Sequence, residues 1–141
     1  MCIVLKYRYK LVKRRAPYDK EVLLPIIPVR LKNGEKSLDV GALLDSGADF
    51  SAIPVDMAEV LGVRLGKPEP VGGIGGDVEA HPSRVTVVVL KAHERYEIEI
   101  PVMVLPERED EIQVILGRPG FFERFDITFK ERDKTIVLKP R

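Results

Sequence analysis

The chain has 141 residues, which is enough to bury one hydrophobic core but too few for two full lobes. Charged residues make up 32% of the sequence and nearly balance at a net charge of +1, so the overall charge favours neither nucleic acid nor an anionic membrane as a partner. The single cysteine, Cys2, excludes an intrachain disulfide framework, and His81 and His93 are not spaced as zinc ligands, so we expect no metal and no other cofactor.

The N-terminal stretch MCIVLKYRYKLVKRR does not have the order of a secretory signal, because its basic residues follow the short apolar run instead of preceding it. No apolar run approaches the roughly 18 residues that a membrane span requires. We therefore expect a cytoplasmic protein that has no membrane partner.

Alternation of apolar and polar residues predicts a chain made mostly of β-strands. In residues 3–11, apolar residues alternate with mostly basic ones, which predicts one strand. Its basic face suits an acidic partner, but the more ordinary interpretation is a solvated sheet edge protected by its charges. Residues 22–31 predict another strand, which Pro25 and Pro28 restrict to an edge or a bent position.

Further along the chain, turn residues separate the predicted elements. Asn33-Gly34 predicts a tight hairpin that returns along residues 37–44. The remaining predictions are a helix from Pro54 to Gly62, strands over 85–90, 96–104 and 114–116, one or two helical turns after Pro119, and a hairpin over 127–138 that turns at Arg132-Asp133. The fold class is therefore mainly β, as one barrel-like domain with one or two short helices.

The central motif is ALLDSGADFSAIP, residues 42–54, in which an apolar run ends at Asp45. A carboxylate directly after a buried strand is costly unless backbone N–H groups and a small hydroxyl hold it. Ser46 and Gly47 are residue types that can do so. Taken alone, however, Asp45 is more simply explained as an Asx-turn aspartate that caps the end of a strand.

Two more motifs follow in the sequence. GGIGG covers residues 72–76, with Ile74 placed 29 residues after Asp45, and VILGR covers residues 114–118, with Gly117 placed 72 residues after it. A phosphate-binding loop does not fit GGIGG, because Val78 stands where the third glycine of such a loop belongs. By itself GGIGG is also consistent with a plain flexible hairpin, and VILGR with a buried strand ended by glycine.

The three motifs together, in this order, resemble those of the retropepsins, the single-lobe aspartic peptidases of retroviruses and their cellular relatives. The resemblance covers roughly residues 22–129 and implies a retropepsin-like acid-protease β-barrel. We expect one domain over residues 1–141, with an N-terminal strand extension at 1–21, the family core at 22–129 and a C-terminal hairpin strand at 130–141. Pro119 stands where the family commonly has a polar residue, so the start of the terminal helix is expected to differ.

The resemblance also assigns roles to individual residues. It implies a catalytic turn of Asp45, Ser46 and Gly47, in which Ser46 joins a hydroxyl network across a dimer and Gly47 offers its backbone to the substrate. It implies that Asp49 pairs with Arg118 and so fixes the turn to the segment after Gly117. The substrate-binding set, which includes a mobile flap with Ile74 at its tip, is then Ala48, Asp49, Phe50, Gly72, Gly73, Ile74, Gly75 and Ile115.

Peptide hydrolysis by this chemistry needs two carboxylates that share one proton, one acting as the base and the other as the acid. Asp49 lies too close to Asp45 in the sequence to be the second, and no second turn of this kind occurs in the chain. The missing carboxylate must come from another chain, as in a two-fold homodimer that binds an extended peptide. Two other hypotheses stay open: a dimeric peptide-binding or scaffolding domain without turnover, and a nucleic-acid-associated module that uses the basic N-terminal face.

Overall fold

The structure is a computed structural model that describes residues 3–13, 20–72, 77–106 and 114–141. These residues are mainly β, as the sequence predicts. The described strands are β1 (Leu5–Arg8), β2 (Lys10–Lys13), β3 (Glu21–Leu24), β4 (Ile26–Asn33), β5 (Lys36–Leu44), β6 (Ser51–Pro54), β7 (Glu69–Val71), β8 (Val78–Lys91), β9 (Glu94–Leu105), β10 (Val114–Leu116), β11 (Phe125–Lys130) and β12 (Thr135–Pro140). One α-helix, α1 (Val55–Leu61), and a short helical segment, Arg118–Phe122, complete this part of the chain.

A closed β-barrel is the centre of the molecule. Within the described residues, six strands follow one another around it in the order β4, β5, β10, β6, β9 and β8. The barrel closes where β8 pairs back onto β4, with Arg30 opposite Val88 and Lys32 opposite Thr86. The predicted β-barrel is therefore confirmed, and the β4–β8 pairing leaves Pro28 in a part of β4 that pairs only with β5.

The barrel interior is filled by the inward-facing side chains of each strand. Alternate residues of β4 and β8, among them Leu31 and Val87, belong to one hydrophobic core. The same hydrophobic core takes in Leu61 of α1 and Phe121 of the Arg118–Phe122 segment. Because these side chains come from segments far apart in the sequence, the core holds the strand ends around Asp45 in fixed positions.

The N-terminal region differs from the single strand predicted for residues 3–11. A break in the strand occurs at Tyr9, whose backbone N–H donates a hydrogen bond to the carbonyl of Lys134 at 2.9 Å. On one side of the break, β1 pairs antiparallel with β12 and completes a three-stranded sheet with β11. On the other side, β2 pairs with β3 to form a two-stranded β2–β3 ribbon. The hydrogen bond from Tyr9 to Lys134 thus divides the strand, although apolar and polar residues alternate without a break through this part of the sequence.

The other predicted elements are found with small differences in length. α1 begins after Pro54, which is extended, and ends at Gly62, whose φ of 65° suits glycine at a helix C-terminus. β8 and β9 are longer than predicted because they pair with each other from His81 opposite Val104 to Lys91 opposite Glu94. The Arg118–Phe122 segment is kinked, since Pro119 and Gly120 have non-helical backbone angles. In the part of the chain that is described, no helix has the length and apolarity needed to cross a membrane.

Candidate active site

The turn that carries Asp45 lies between two strands that are not neighbours in the sheet. β5 leads into the turn and β6 leads out of it, while β10 lies between them, parallel to β5 and antiparallel to β6. The N–H of Asp45 donates to the carbonyl of Leu116 in β10 at 3.0 Å, and the N–H of Leu44 donates to the carbonyl of Pro25 at 3.0 Å. The backbone that enters the turn is therefore held from both sides.

The Asp45 side chain folds over its own turn. One carboxylate oxygen, Oδ1, accepts a hydrogen bond from the N–H of Gly47 at 2.9 Å, and the Asp45 carbonyl accepts one from the N–H of Ala48 at 3.2 Å. Asp45 is half-buried, whereas Ser46 and Gly47 are exposed. The turn thus orients the carboxylate through the Gly47 N–H and leaves Ser46 and Gly47 exposed to solvent.

A buried hydroxyl joins the end of this turn to the residue that follows β10, and it was not predicted from the sequence. Ser51, only 1% exposed, is the buried polar side chain among the described residues, and its Oγ accepts a hydrogen bond from the N–H of Gly117 at 2.9 Å. The only signal in the sequence is a serine at the start of the apolar stretch SAIP. Ser51 therefore connects β6, which follows the turn, to the end of β10.

Gly117 lies so close to the turn that a larger residue does not fit. A Cβ at this position would lie 2.5 Å from the carbonyl oxygen of Phe50 and 2.9 Å from that of Ala48. The next residue, Arg118, donates its backbone N–H to the Ala48 carbonyl at 3.2 Å. The glycine of VILGR is thus required by its close backbone approach to the turn that carries Asp45.

The Arg118 guanidinium contacts the Asp49 carboxylate, through Nη2 and Oδ1. This pairing was expected from the sequence, and the structure brings the two side chains together. Both are largely exposed, at 84% for Asp49 and 56% for Arg118. Exposed ion pairs contribute only about 0–1 kcal/mol, so the turn is held mainly by the backbone and Ser51 hydrogen bonds around Gly117.

The predicted substrate-binding residues lie on different elements. Ala48 and Phe50 are half-buried in the turn, and Ile115 is half-buried in β10, opposite Ala52 of β6. Gly72 lies just after β7, which pairs antiparallel with β8. Gly73, Ile74 and Gly75 fall outside the described residues.

The chemistry available at this site is that of a carboxylate in a turn. Among the described residues there is no group of three His, Cys, Asp or Glu side chains close enough to bind a metal ion. The Asp45 carboxylate is oriented by the backbone N–H of Gly47, and it lies half-buried directly after β5. A carboxylate in this setting can exchange protons with water or with a second carboxylate.

Comparison with known proteins gives a family and two similar structures. Residues 27–119 match the family model described as aspartyl protease. A retropepsin-like aspartic protease from Rickettsia conorii has a similar structure, with a TM-score of 0.55 and 18% identity over 99% of this chain and 94% of that one. The EIAV protease, solved in complex with the inhibitor HBY-793, is 28% identical over 67% of this chain and 82% of that one, with a TM-score of 0.42. No curated protein matches the sequence.

The family match covers more than half of the chain and includes the Asp45 turn, Ser51 and the Gly117-Arg118 pair that closes on the turn. The Rickettsia structure supports the same barrel over nearly the whole chain. The chain therefore belongs to the aspartyl protease family, and its fold is that of a retropepsin-like aspartic protease.

Proposed function

We propose that this protein is an aspartic endopeptidase whose active site forms between two copies of the chain. The observation that supports this most is the half-buried Asp45 carboxylate, which a turn fixed by β5, β6 and β10 presents at the barrel surface. The family membership supports the reaction class. Since the chain has one such turn, a two-fold homodimer supplies the second carboxylate.

In this mechanism the two carboxylates share one proton. Two negative charges about 4 Å apart, at an effective dielectric constant near 20, repel each other by about 4 kcal/mol, so one carboxyl group stays protonated while the other is ionised. This splitting is well known for aspartic-protease pairs. The ionised carboxylate takes a proton from water as the water oxygen attacks the peptide carbonyl carbon. The protonated partner then supplies the proton that the departing nitrogen needs when the C–N bond breaks.

The substrate is an extended peptide that lies across the two Asp45 turns. Gly47 is exposed and has no side chain, so its backbone is accessible to a peptide strand. Phe50 and Ile115, both half-buried, provide apolar surface near the turn. The glycine-rich connection between β7 and β8 acts as a flap that closes over the peptide and excludes water.

Replacing Asp45 by Asn tests the proposal, because the amide keeps the size of the carboxylate and cannot act as the base. We expect the rate of peptide cleavage to fall by about 10²–10⁴-fold, the usual contribution of general acid–base catalysis, with the dimer intact. The assay measures cleavage of a broad peptide library between pH 4 and 7, with and without a pepstatin-type inhibitor. Asp133→Asn, which makes the same change in the exposed turn between β11 and β12, is the matched control and should keep full activity.

A peptide-binding domain that keeps the fold without turnover gives a different result. In that case the wild-type protein is a dimer that binds peptides but cleaves none of the library. A second contrary result is cleavage that Asp45→Asn leaves unchanged, because the activity would then come from another site or a contaminant.

A further inference from the structure

We propose that the β2–β3 ribbon is part of the surface on which the second copy of this chain docks, with Leu11 and Leu23 at the contact. This inference rests on the proposed function, since it identifies the partner-facing surface of the Asp45 site. Four observations support it: the path of the ribbon, the space that a partner must occupy, the chemistry of the exposed face and the pairing of the terminal strands.

The ribbon leaves the barrel beside the catalytic turn. In the antiparallel pair of β4 and β5, Ile26 lies opposite Leu43, and the next step of this register is the hydrogen bond from Leu44 to the carbonyl of Pro25. β5 then continues into Asp45, while the chain on the other side continues backwards into β3, which ends at Leu24. The base of the ribbon and the start of the turn are therefore neighbours.

A partner that brings its own Asp45 to the site must occupy the space next to this turn. The turn itself is small, whereas a stable interface usually buries about 800 Å² on each partner. The contact must then extend onto the neighbouring surface of the barrel. Leu23 lies two residues before Pro25, or about 7 Å along an extended strand, which places it within such a contact area.

The exposed face of the ribbon suits an apolar contact with a second copy. Leu11 and Leu23 lie opposite each other in the register, and they are 54% and 41% exposed. A two-stranded ribbon has little stability of its own, and burying these two leucine side chains against a partner would stabilise it. On the same face, Lys13 lies opposite Glu21. Because the face carries both charges, two copies of it can meet without like-charge repulsion.

The terminal strands are less suited to receive the partner. β12 pairs with β1 on one side and with β11 on the other, so its backbone groups are already used within the chain. β1 carries Lys6 and Arg8, and charged residues of this kind discourage the addition of another strand to a sheet edge. The ribbon therefore has a stronger case as the docking surface than either β1 or β12.

The test introduces a charge into the apolar face, as Leu11→Glu and Leu23→Glu. We expect each variant to raise the dimer dissociation constant, measured by sedimentation, at least tenfold. Peptidase activity per subunit should fall at low protein concentration and recover at high concentration. Leu90→Glu is the matched control, because Leu90 is 40% exposed near the turn of the β8–β9 hairpin, and it should leave both dimerisation and activity unchanged.

Hydrogen exchange of the wild-type protein tests the same surface without a mutation. The amides of β2 and β3 should exchange more slowly as the protein concentration rises through the dissociation constant. The inference is overturned if the glutamate variants dimerise like the wild type, if they change only KM, which indicates a substrate surface, or if exchange of the ribbon does not depend on concentration. In each of these cases a dimeric, active wild type preserves the proposed function, whereas a strictly monomeric wild type refutes both.

Discussion

Ser51 shows how one side chain can support a proposed active site from a position outside the Asp45 turn. Its hydroxyl accepts the hydrogen bond of the Gly117 N–H in a buried setting, where an unpaired donor is costly. Asp45 follows β5 and Gly117 follows β10, so this bond helps to keep the turn and the end of β10 together. Ser51 is thus a positioning residue for the proposed site.

Ser51→Ala should lower the free energy of unfolding by about 1–3 kcal/mol, because the Gly117 N–H is left buried without its partner. Chemical denaturation measures the effect. Ser37→Ala, at an exposed position of β5, is the control and should change the stability by much less. Equal stability of the Ser51→Ala and Ser37→Ala variants would contradict a supporting role for this hydrogen bond.

Tyr7 is a residue whose ionisation affects stability. Burial raises the pKa of its phenol from 10.0 to about 12, and its hydroxyl has no hydrogen-bond partner among the described residues. The folded chain therefore keeps this proton at a pH where the unfolded chain, with the ordinary tyrosine pKa, loses it. The unfolded state is then favoured increasingly as the pH rises from about 10 to about 12.

We expect Tyr7→Phe to reduce the loss of stability between pH 10 and 12, and to be at least as stable as the wild type at pH 7. Removing a buried hydroxyl that has no partner costs little, whereas Tyr96→Phe removes a hydrogen bond to Glu94 and should be slightly destabilising at pH 7. Thermal unfolding across this pH range measures both variants. A Tyr7→Phe protein that loses as much stability as the wild type above pH 10 would contradict the assignment.

At the scale of elements, the insertion of β10 between β5 and β6 does most to define the site. This arrangement brings Gly117 and Arg118 against a turn that lies about seventy residues earlier in the sequence. The backbone bonds of the strands cannot be removed by changing a side chain. The exposed Asp49–Arg118 pair can be removed, so its share in holding the turn is measurable.

A double-mutant cycle of Asp49→Ala and Arg118→Ala should give a coupling energy below about 1 kcal/mol that decreases further in high salt. The same cycle on Arg30 and Asp39 should give the larger coupling, because that pair forms two hydrogen bonds, at 2.7 and 3.3 Å. Denaturation of the single and double variants measures both cycles. A strong, salt-insensitive coupling of Asp49 with Arg118 would indicate that this pair is buried in the functional assembly.

At the scale of the whole molecule, the proposed site needs two subunits with intact carboxylates. When the wild type is mixed in equal amounts with Asp45→Asn and the subunits exchange, random pairing leaves about half of the wild-type subunits with a wild-type partner. Cleavage activity should therefore fall to about half of that of the same amount of wild type alone. Mixing with Asp133→Asn should cause no loss, and unchanged activity in the Asp45→Asn mixture would show that each subunit works independently.

The sequence by itself determined the features that depend on local patterns. Alternation of apolar residues predicted most strands, and turn residues such as Gly34 and Gly62 adopt the positive φ values that only a few residue types accept easily. The Asp45 turn could also be predicted, because a carboxylate directly after an apolar run needs small residues such as Ser46 and Gly47 to hold it. Order and spacing of three motifs then sufficed to predict the family.

The tertiary structure alone decided how distant segments meet. Ser51 and Gly117 are 66 residues apart, and nothing near either residue in the sequence indicates the other. The same holds for Tyr9 and Lys134, whose hydrogen bond divides the predicted first strand. As a result, β2 is a separate strand that pairs with β3. Local patterns fix which face of a strand is buried, whereas the choice of a pairing partner depends on how the whole chain closes its barrel and satisfies its backbone hydrogen bonds.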